Sequence, residues 1–431
     1  MMRTHYASEV TPELEGQTVT IAGWAHEIRD LGKLKFLILR DRTGLIQVTA
    51  KKGTASESVL EQMNLIKESV IQITGKVRKE SQAPGARELI PESVKNLNPI
   101  SSPIPFEVTG KVPVDLDVRL DNRCIDFRRI PVSAIFQIKH WVQYGFREKA
   151  YELGFQEIVP TCIAAAASEG GSNLFPVVYF EKEAYLCQSP QLYKQLAVIG
   201  GMDKVFMMCP AFRAEKHNTT SHLNEVLQMD IEMGFADHND AMEVLSAISL
   251  NILKNVKEHC PKELEILNSN IIIPDEVKRH TYESLINLLN SHDTKIEWGE
   301  DFSREHERKL YDVLKEELYL ITDWPTKIRA FYSMPNESKP EICNSYDLMY
   351  KGIEISSGAQ RIHLPDLLVK QLRDRGLNPE NFEFYIKAFR MGAPPHAGWS
   401  IGLERISMQL CNQQNIRECA MFPRDRNRIT P

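Results

Sequence analysis

The stretch KVFMMCPAFRAEKHNTTSHLNEVLQMDIEM, residues 204–233, consists of two apolar runs on either side of a polar segment. Short apolar runs bounded by polar residues are typical of buried strands. The pattern predicts two strands joined by a polar loop that carries Arg213, His217 and His222. Arginine offers a planar, permanently charged fork that matches phosphate oxygens, so this loop could close over phosphates. A hairpin whose charges are merely solvated is the alternative that spacing leaves open.

A second segment, GWSIGLERISMQL at residues 398–410, places glycines ahead of an apolar helical run. Glycine lets a backbone approach a ligand closely, and Arg405 on the following helix could reach a phosphate. Close packing of the helix on a strand would produce the same spacing. The segment alone therefore does not decide between a ligand site and a packing contact.

A third segment, SYDLMYKGIEISSGAQRIH at residues 345–363, contains Asp347, Glu354, Ser357 and Arg361. Alternation from Leu348 to Ser356 predicts a strand with every second side chain on one face. Carboxylates on that face could hold Mg²⁺ that bridges phosphate oxygens, and Arg361 could pair with a carboxylate substrate. A structural set of salt bridges would give the same residues.

The rest of the chain places these segments in a protein of 431 residues, too long for one compact domain. Hydrophobic residues make up 42% and charged residues 26%, which excludes a collagen-like or largely disordered chain. No apolar run approaches the ~18–20 residues of a membrane helix, and no secretory signal begins the sequence. The eight cysteines form no C-x-x-C pair, which predicts reduced core thiols rather than zinc ligands or disulfides. We therefore expect a soluble cytoplasmic protein.

Ahead of the quoted stretches, short β-branched runs indicate a small antiparallel barrel. The predicted strands cover 17–24, 34–40, 44–50 and 69–78, with a helix at 55–67. Prolines crowd residues 98–113 and exclude a helix or central strand there. The predicted architecture is an N-terminal barrel at 1–105, a linker at 106–130 and a larger α+β domain at 131–431.

The larger domain begins with a predicted helix at 133–153, followed by the strand-like run GFQEIVP, which ends at Pro160. FEFYIKAF, at 382–389, is a further strand-like run, and helix formers at about 238–335 predict a helical insertion. Residues 1–105 contain 14 Lys and Arg against 12 Asp and Glu, a charge of +2, which leaves −8 for the remainder. This difference is compatible with polyanion binding by the barrel and with ordinary surface composition.

Taken together and in this order, these segments resemble the three signature motifs of class II aminoacyl-tRNA synthetases. The helix and strand that end at Pro160 look like the dimer-forming motif 1, FRAE with HLNE looks like motif 2, and GLER looks like motif 3. The resemblance narrows to the aspartyl-tRNA synthetase family of the archaeal and eukaryotic type. The segments that narrow it are EGG at 169–171, QSPQLYKQ at 188–195, GIEISSGAQRIH at 352–363 and FPRDRNRITP at 422–431.

This resemblance implies an anticodon-binding OB-fold barrel and a catalytic domain with an antiparallel sheet flanked by helices. It implies a homodimer that uses ATP and Mg²⁺ to convert L-aspartate to aspartyl-adenylate, then transfers the aspartyl group to the 3′ end of tRNA. No covalent enzyme intermediate and no catalytic cysteine are expected, because positioning and electrostatic stabilisation suffice for this chemistry.

Motif matching also assigns residues. Arg213 and Arg405 would be the catalytic arginines, and ATP would be bound by Arg213, Glu215, His222, Leu223, Glu354, Gly402, Leu403, Glu404 and Arg405. Aspartate would be bound by Glu169, Gln191, Lys194, Arg213, Asp230, Ser357 and Arg361. Mg²⁺ would be bound by Glu354 and Ser357, with Asp347 as an acidic neighbour. Two cations, Lys194 and Arg361, would favour the carboxylate of aspartate over the nearly isosteric amide of asparagine.

In the barrel, the resemblance assigns anticodon reading to Phe36, Gln47 and Glu88, because an aromatic ring stacks on an unpaired base while polar groups read its edges. Without the resemblance, Phe36 would be an ordinary core residue. His26 stands where tRNA-discriminating archaeal relatives tend to carry tryptophan, and Pro84 lies in a loop that also varies with tRNA discrimination. Both residues resemble those of the non-discriminating type, which aspartylates tRNA-Asp and tRNA-Asn. The alternative is that His26 is a neutral surface variant.

Four other functions compete with this interpretation. They are a strictly tRNA-Asp-specific enzyme, an asparaginyl-tRNA synthetase, a non-catalytic paralogue that binds RNA or acts as a scaffold, and an ammonia-using asparagine synthetase. Lys194 and its QSPQLYKQ segment disfavour the asparaginyl enzyme. The presence of both Arg213 and Arg405 disfavours the paralogue, and the N-terminal barrel disfavours the asparagine synthetase.

Overall fold

The structure, a computed structural model, describes residues 2–165, 173–216 and 219–431. It divides into two compact units, of which the first ends at Asp115 and the second begins at Leu116. This border falls inside the linker predicted at 106–130. Residues 99–115 form no helix or strand, whereas helical structure begins at Leu116. Glu169 and His217, both singled out in the sequence, lie outside the described residues.

The first unit contains a closed five-stranded barrel with the strand order β1-β2-β3-β5-β4. Its strands are β1 (Thr18–Asp30), β2 (Leu34–Asp41), β3 (Gly44–Lys51), β4 (Val70–Lys79) and β5 (Arg87–Asn98). One short helix, α1 (Glu57–Gln62), lies between β3 and β4, where Ser56 caps its first turn by accepting a hydrogen bond from the Val59 amide. Leu37, Leu39, Ile46 and Val48 fill the interior, so the barrel has its own hydrophobic core.

The second unit is built on an eight-stranded sheet with the order β12-β13-β14-β15-β16-β11-β10-β6, which is antiparallel except for the first and last pairs. A separate three-stranded sheet has the order β7-β9-β8. The strands are β6 (Gln156–Glu157), β7 (Ile163–Ala164), β8 (Pro176–Tyr179), β9 (Lys182–Leu186), β10 (Lys204–Phe212), β11 (Glu225–Gly234), β12 (Lys278–Thr281), β13 (Leu318–Thr322), β14 (Ser345–Tyr350), β15 (Ile353–Arg361) and β16 (His396–Gly402).

Helices cover the large sheet and form most of the remaining core. They are α2 (Leu116–Asp121), α3 (Arg123–Asp126), α4 (Ile130–Glu152), α5 (Gln191–Ala197), α6 (His238–His259), α7 (Pro261–Ile266), α8 (Tyr282–Ser291), α9 (Arg304–Leu314), α10 (Pro365–Asp374), α11 (Glu383–Arg390) and α12 (Leu403–Leu410). Helix α4 buries Ile135, Ile138 and Val142 at the three- and four-residue spacing of one helical face. These residues share a cluster with Trp399 of β16, which ties the helices to the sheet.

The structure differs from the sequence-based expectations in both units. In the first unit, β5 (Arg87–Asn98) is not among the predicted strands. Three further differences lie in the second unit. FEFYIKAF is not a strand but the helix α11, because burial of Tyr385, Ile386 and Phe389 satisfies a helical period. The single strand expected from Leu348 to Ser356 is a hairpin, since β14 and β15 are joined at a turn where Gly352 has a positive φ.

The third difference is the helical insertion expected at about 238–335. This range contains four helices, α6 to α9, but also β12 and β13, which pair with each other inside the large sheet. Helix α6 buries Leu245, Ile248 and Ile252 in the same core as α4. The range is therefore part of the main fold rather than an appended helical segment.

Two further features bear on the expected class of protein. In the described ranges, no helix combines the length and the apolar character needed to cross a membrane. All eight cysteines fall within those ranges and carry free thiols, as expected. Six of them are buried, but Cys124 is exposed and Cys162 is partly exposed, so not every thiol belongs to the core.

Candidate functional site

One cavity of ≈ 340 Å³ lies on the large sheet between the β10–β11 loop, β15 and the start of α12. Most of the residues that motif matching assigned to ATP or aspartate line it. They are Gln191, Arg213, Glu215, His222, Leu223, Asp230, Glu354, Ser357, Arg361, Gly402, Glu404 and Arg405. Residues from four separated stretches of the sequence thus meet in one place.

A row of polar residues crosses four neighbouring strands, and its members Asp230, Ser400 and Ser357 line the floor of the cavity. Asp230 of β11 stands opposite Ser400 of β16, Ser400 opposite Ser357 of β15, and Ser357 opposite Asp347 of β14. Directly opposed residues in an antiparallel sheet share a face, so strand pairing brings these groups together. Ser400 donates a hydrogen bond of 3.3 Å to the Asp230 carboxylate.

The loop between β10 and β11 forms one wall of the cavity. Its base is closed by Asn224, whose amide nitrogen donates to the carbonyl oxygens of Arg213 at 2.6 Å and Glu215 at 3.1 Å. His222 accompanies them, with Nδ1 at 2.6 Å from the Thr219 hydroxyl. Burial lowers the pKa of His222 below its ordinary value, which favours the neutral ring. The wall therefore presents Arg213 as its permanent cation.

On the opposite wall, Arg405 extends from the first turn of α12 toward β15. Its Nη1 lies 3.6 Å from a carboxylate oxygen of Glu354, and its side chain is 30% exposed to the cavity. A guanidinium in this position is anchored on one side and accessible on the other. It can therefore accept a phosphate without a rearrangement of the sheet.

Two further residues assigned to ATP belong to the framework of the site. Leu403 is fully buried in the main core and is not a lining residue of the cavity, because the first turn of α12 packs against the sheet. Glu404 reaches the cavity but accepts a hydrogen bond from Lys139 of α4 at 2.7 Å and another from the Leu227 amide at 2.9 Å. Its carboxylate ties α12 to α4 and β11.

The acidic group of the site contains a partner that the sequence analysis missed. Arg329 binds Asp347 through two hydrogen bonds, of 2.8 and 2.5 Å, and donates a third of 2.8 Å to the Ser357 hydroxyl. Arg329 follows a short helical turn within the range expected to be an insertion, and no motif marks it. Asp347 therefore lies behind the cavity wall as an ion-paired residue, whereas Glu354 and Ser357 face the cavity.

Glu354 is the acidic residue best placed to hold a cation. Burial and, to a smaller extent, the negative charge of Asp347 raise the pKa of Glu354. The neighbouring cations therefore do not fully balance the negative charge of the Glu354 carboxylate. Burial and the charge of Glu354 likewise raise the pKa of Glu307, on α9, to about 7. Among the described residues, no three histidine, cysteine or acidic side chains form a metal-binding group of their own. A Mg²⁺ ion fits such a site when phosphate oxygens and water complete its coordination.

Beside this acidic group lies a buried set of two cations and two carboxylates. Arg361 donates from Nε and Nη2 to Glu232 at 3.0 and 3.2 Å. Lys194 donates to Asp230 at 2.8 Å and lies 3.4 Å from Glu232. Glu232 was missed in the sequence analysis, although its position two residues after Asp230 places both on one face of β11.

Lys194 and Arg361 differ in their access to the cavity. Lys194 is 1% exposed and is not among the lining residues, because its ammonium group is enclosed by carboxylates and by the carbonyl oxygens of Ile231 and Trp399. Arg361 does line the cavity, and its Nη1 donates no hydrogen bond to any described residue. The structure thus presents Arg361, but not Lys194, directly to a substrate.

Gly398 of β16 makes room for this arrangement. A Cβ atom at this position would collide with the Glu232 carboxylate and with the Ile231 carbonyl oxygen. Gly402, by contrast, meets only ordinary contacts with Arg405 and borders the cavity. Gly398 therefore makes room for the buried charged side chains, and Gly402 leaves space for a ligand.

In the barrel, the residues assigned to anticodon reading lie on its outer face. Phe36 stands opposite Thr49 on β2 and β3, and Gln47 stands opposite Glu88 on β3 and β5. The interior positions are Leu37 and the other apolar residues of the core, so Phe36 is not a core residue. Outward-facing aromatic and polar groups on a barrel of this kind suit single-stranded nucleic acid.

Glu88 is held rigidly within this outer face. It accepts hydrogen bonds from Gln47 at 2.9 Å and from Arg78 at 2.7 Å, and it also contacts Thr49. Only 1% of Glu88 is exposed, whereas the side chain of Arg78 is 53% exposed. The carboxylate is thus oriented by its neighbours before any ligand arrives.

The two positions assigned to tRNA discrimination have different surroundings. His26 sits at a β-bulge in β1, is 5% exposed, and lies 2.6 Å from Nη1 of Arg40, which forms a two-point ion pair with Glu68. It is therefore not a surface variant. Pro84 lies in the turn before β5, where its carbonyl oxygen accepts a hydrogen bond from Arg87.

Comparison with known protein families identifies both units. Residues 115–426 match the family described as tRNA synthetases class II (D, K and N). Residues 19–97 match the family described as OB-fold nucleic acid binding domain. The barrel and the large sheet thus correspond to the two modules that the motifs implied.

Similar proteins cover the whole chain. The Aspartate–tRNA(Asp/Asn) ligase of Archaeoglobus fulgidus is 49% identical over 99% of this chain and 99% of its own length. The enzyme of the same description from Methanocaldococcus jannaschii is 48% identical over 100% of this chain and 98% of its own. Among solved structures, asparaginyl-tRNA synthetase from Pyrococcus horikoshii with asparaginyl-adenylate has a TM-score of 0.95 and 31% identity, with 100% of both chains covered.

Proposed function

The chain belongs to the class II tRNA synthetases (D, K and N), and we propose that it is an aspartate–tRNA ligase. It activates L-aspartate with ATP and transfers the aspartyl group to tRNA-Asp and tRNA-Asn. The observation that carries this proposal is the cavity in which Arg213, Arg361 and Arg405 converge around the acidic residue Glu354. Three cations suit the triphosphate and the carboxylates of the two substrates.

In the first step, an α-carboxylate oxygen of aspartate attacks the α-phosphorus of ATP, and the bond to the pyrophosphate oxygen breaks. Arg213 on the β10–β11 loop binds the α-phosphate and the reacting carboxylate, while Arg405 on the opposite wall binds the γ-phosphate. Both arginines line the same cavity, so one triphosphate can contact both. Such preorganised charges stabilise the negative charge that develops in the transition state. Glu215, His222 and Leu223 contact the adenosine end.

Mg²⁺ neutralises phosphate charge when it is bound at Glu354 and Ser357. The raised pKa of Glu354 supports this assignment, since a carboxylate near another acidic residue gains from an adjacent cation. Asp347 acts indirectly, because Arg329 binds both the Asp347 carboxylate and the Ser357 hydroxyl.

The amino acid lies beside the buried charges of β11. Nη1 of Arg361 binds the side-chain carboxylate of aspartate, Gln191 and Asp230 face its ammonium group, and Lys194 acts from behind by fixing Asp230. A neutral asparagine amide leaves the Arg361 charge without compensation. In the second step, the terminal 3′-hydroxyl of tRNA attacks the adenylate carbonyl carbon and AMP departs.

The barrel selects tRNA through its outer face. Phe36 stacks on an unpaired anticodon base, Gln47 contacts a base edge, and Glu88, which is 1% exposed, acts by orienting Gln47. His26 influences discrimination through Arg40 and Glu68 rather than by direct contact, because it is 5% exposed. Pro84 shapes the neighbouring turn. Acceptance of both tRNA-Asp and tRNA-Asn agrees with the Asp/Asn description of similar archaeal proteins.

The functional particle is a cytoplasmic homodimer. Val159, which follows β6, is 93% exposed, and Val178 and Phe180 in the β8–β9 hairpin are 98% and 83% exposed. Large apolar side chains at such exposure favour burial against another chain. Val159 belongs to the segment that resembles the dimer-forming motif, and Val178 and Phe180 belong to the hairpin that follows later in the chain. Sedimentation of the protein with Val178→Asp should distinguish a dimer from a monomer.

Pyrophosphate exchange tests the activation step. We expect ATP–pyrophosphate exchange that depends on aspartate and is at least 100-fold weaker with asparagine, followed by charging of purified tRNA-Asp and tRNA-Asn. Exchange with asparagine alone would identify an asparaginyl enzyme, a kind of synthetase whose fold is also similar to that of this chain. Charging of tRNA-Asp alone would leave the activation chemistry intact and overturn only the dual tRNA specificity.

A further inference from the structure

The segment 415–428 after α12 contacts the β10–β11 loop at several points. The Ile416 amide donates to the Thr220 carbonyl oxygen at 2.8 Å, and Nη1 of Arg417 donates to the Thr219 carbonyl oxygen at 3.0 Å. Nη1 of Arg426 donates to the Lys216 carbonyl oxygen at 3.1 Å. We call residues 415–428 the C-terminal brace, because these contacts reach both described arms of the loop.

A fourth contact leads directly to the residues that face the cavity. The Asn224 amide N–H donates to the Arg424 carbonyl oxygen at 2.8 Å. The Asn224 side chain binds the backbone of Arg213 and Glu215, and the Arg213 amide donates back to Asn224 at 2.9 Å. Asn224 is 8% exposed and therefore joins the brace to Arg213 through backbone geometry.

The brace is itself fixed to the start of the second unit. Arg123 of α3 is fully buried and donates to the carbonyl oxygens of Glu418, Ala420 and Met421 at 2.8–3.0 Å. Arg119 of α2 binds the Glu418 carboxylate with two hydrogen bonds of 2.7 Å. Beyond the short helical turn Ile416–Cys419, the brace forms no helix or strand, and buried guanidinium groups anchor it by satisfying its carbonyl groups.

A second cavity of ≈ 450 Å³ separates the brace, the loop and α2, and its charges pair with one another. Arg417 donates to Asp425 at 2.7 Å, and Arg428 lies 3.5 Å from Asp117. Burial acts to raise the pKa of Asp425, but the hydrogen bonds from Arg417 and from the Asn427 and Arg428 amides, together with the charge of Arg417, hold the pKa below the ordinary value. Both arginines of this cavity are already paired with carboxylates, so these charges do not await an anionic ligand.

We propose that the C-terminal brace positions the β10–β11 loop for ATP, with Arg417, Arg426 and Asn224 as positioning residues. Removing a brace contact frees the loop backbone, so the Arg213 guanidinium and the adenosine-facing residues Glu215 and His222 lose their common orientation. The residues that bind the side chain and the ammonium group of aspartate, on β11, β15 and α5, do not depend on these contacts, so the brace acts on aspartate only through the contact of Arg213 with the reacting carboxylate. This inference rests on the proposed function for its kinetic readout.

The test compares Arg417→Ala with Arg428→Ala, because both arginines line the second cavity but the contacts of Arg428 are to Asp117, Asp121 and Thr430. Arg426→Ala is the second variant of the brace, and its exposed position protects it from a folding defect. Asn224→Asp keeps the shape of Asn224 and removes its two donated hydrogen bonds. Each variant is measured in pyrophosphate exchange with ATP and aspartate varied in turn, and in amide hydrogen exchange of residues 219–224.

We expect Arg417→Ala and Asn224→Asp to raise KM for ATP about tenfold, with Arg426→Ala giving a rise of about threefold. KM for aspartate should stay within about twofold, amide exchange at 219–224 should accelerate, and Arg428→Ala should match the wild type in all three. Equal effects on both KM values, or unchanged loop exchange, would overturn the positioning role. Absence of exchange activity in the wild-type protein would instead refute the proposed function, while amide exchange would still report on the brace.

Discussion

Arg361 and Glu232 form a two-point ion pair that is almost completely buried beneath the cavity, with hydrogen bonds of 3.0 and 3.2 Å. The pair orients the guanidinium, so that its remaining nitrogen faces the cavity. Gly398 provides the space that Glu232 needs. The direction of the Arg361 guanidinium on β15 is thus set by the Glu232 carboxylate on β11, and one strand, β16, lies between these two strands.

Glu232→Gln should destabilise the protein. Burial acts to raise the pKa of Glu232, but Arg361 and Lys194 outweigh it and lower the pKa, so the ionised form stabilises the fold. Breaking a buried ion pair on one side costs about 3–5 kcal/mol in the free energy of unfolding. The contribution is complete above the ordinary glutamate pKa and is lost as pH falls through the lower folded value.

Urea unfolding measures the free energy of unfolding of Glu232→Gln and of the wild type at pH 7 and at pH 4. The difference between the two proteins should be larger at pH 7. The matched control is Glu383→Gln, which removes a surface partner of Arg390 and should cost less than about 1 kcal/mol. A cost for Glu232→Gln as small as that of the control would contradict the structural importance of the buried pair.

Arg405→Ala should lower kcat for aspartate-dependent pyrophosphate exchange by about 10²–10³-fold, because the transition state loses one preorganised cation. Arg390→Ala on α11 removes an exposed arginine that pairs with Glu383, and exchange should remain at the wild-type rate. Comparable losses in the two variants would assign the effect to general charge rather than to the Arg405 site.

Glu307→Gln should stabilise the protein at alkaline pH. The folded pKa of Glu307 is about 7, above the ordinary 4.5, so the folded state holds a proton that the unfolded chain has released between these values. Stability therefore falls as pH rises from about 4.5 to about 7 and stays lower above it. Because glutamine cannot ionise, the free energy of unfolding of the variant should exceed that of the wild type by on the order of 1–3 kcal/mol at pH 8.

Chemical denaturation of Glu307→Gln at pH 5 and pH 8 measures this gain, with Glu305→Gln, exposed on the same helix, as the control. An equal stability difference between Glu307→Gln and the wild type at both pH values would show that Glu307 ionises normally.

Phe36→Ala should raise KM for tRNA about 5–100-fold in charging assays, because stacking on a base contributes about 1–3 kcal/mol. Leu97→Ala on β5 truncates another exposed apolar side chain of the same unit and should leave KM unchanged. If both variants bind tRNA like the wild type, the outer face around Phe36 is not the anticodon site.

The candidate site was predicted from the sequence where motifs were contiguous and missed where partners came from distant segments. Arg213, Glu215 and Arg405 belong to short motifs, and all three line the cavity. Arg329 follows a short helical turn and meets Asp347 only because the chain folds back, so no local pattern marked it. Leu403, assigned from the same motif as Arg405, turned out to be core, since one helical turn points successive residues in different directions.

The sequence by itself determined the two modules, the order of the three motifs and the chemical character of the site, because strand and helix periods and charged residue types are local properties. Only the tertiary structure decided which face each residue occupies. It placed Phe36 outside the barrel, enclosed Lys194 between carboxylates while leaving Arg361 accessible, and brought the C-terminal brace to the loop. Those outcomes depend on strand register and on pairing between residues far apart in the chain, which no single segment encodes.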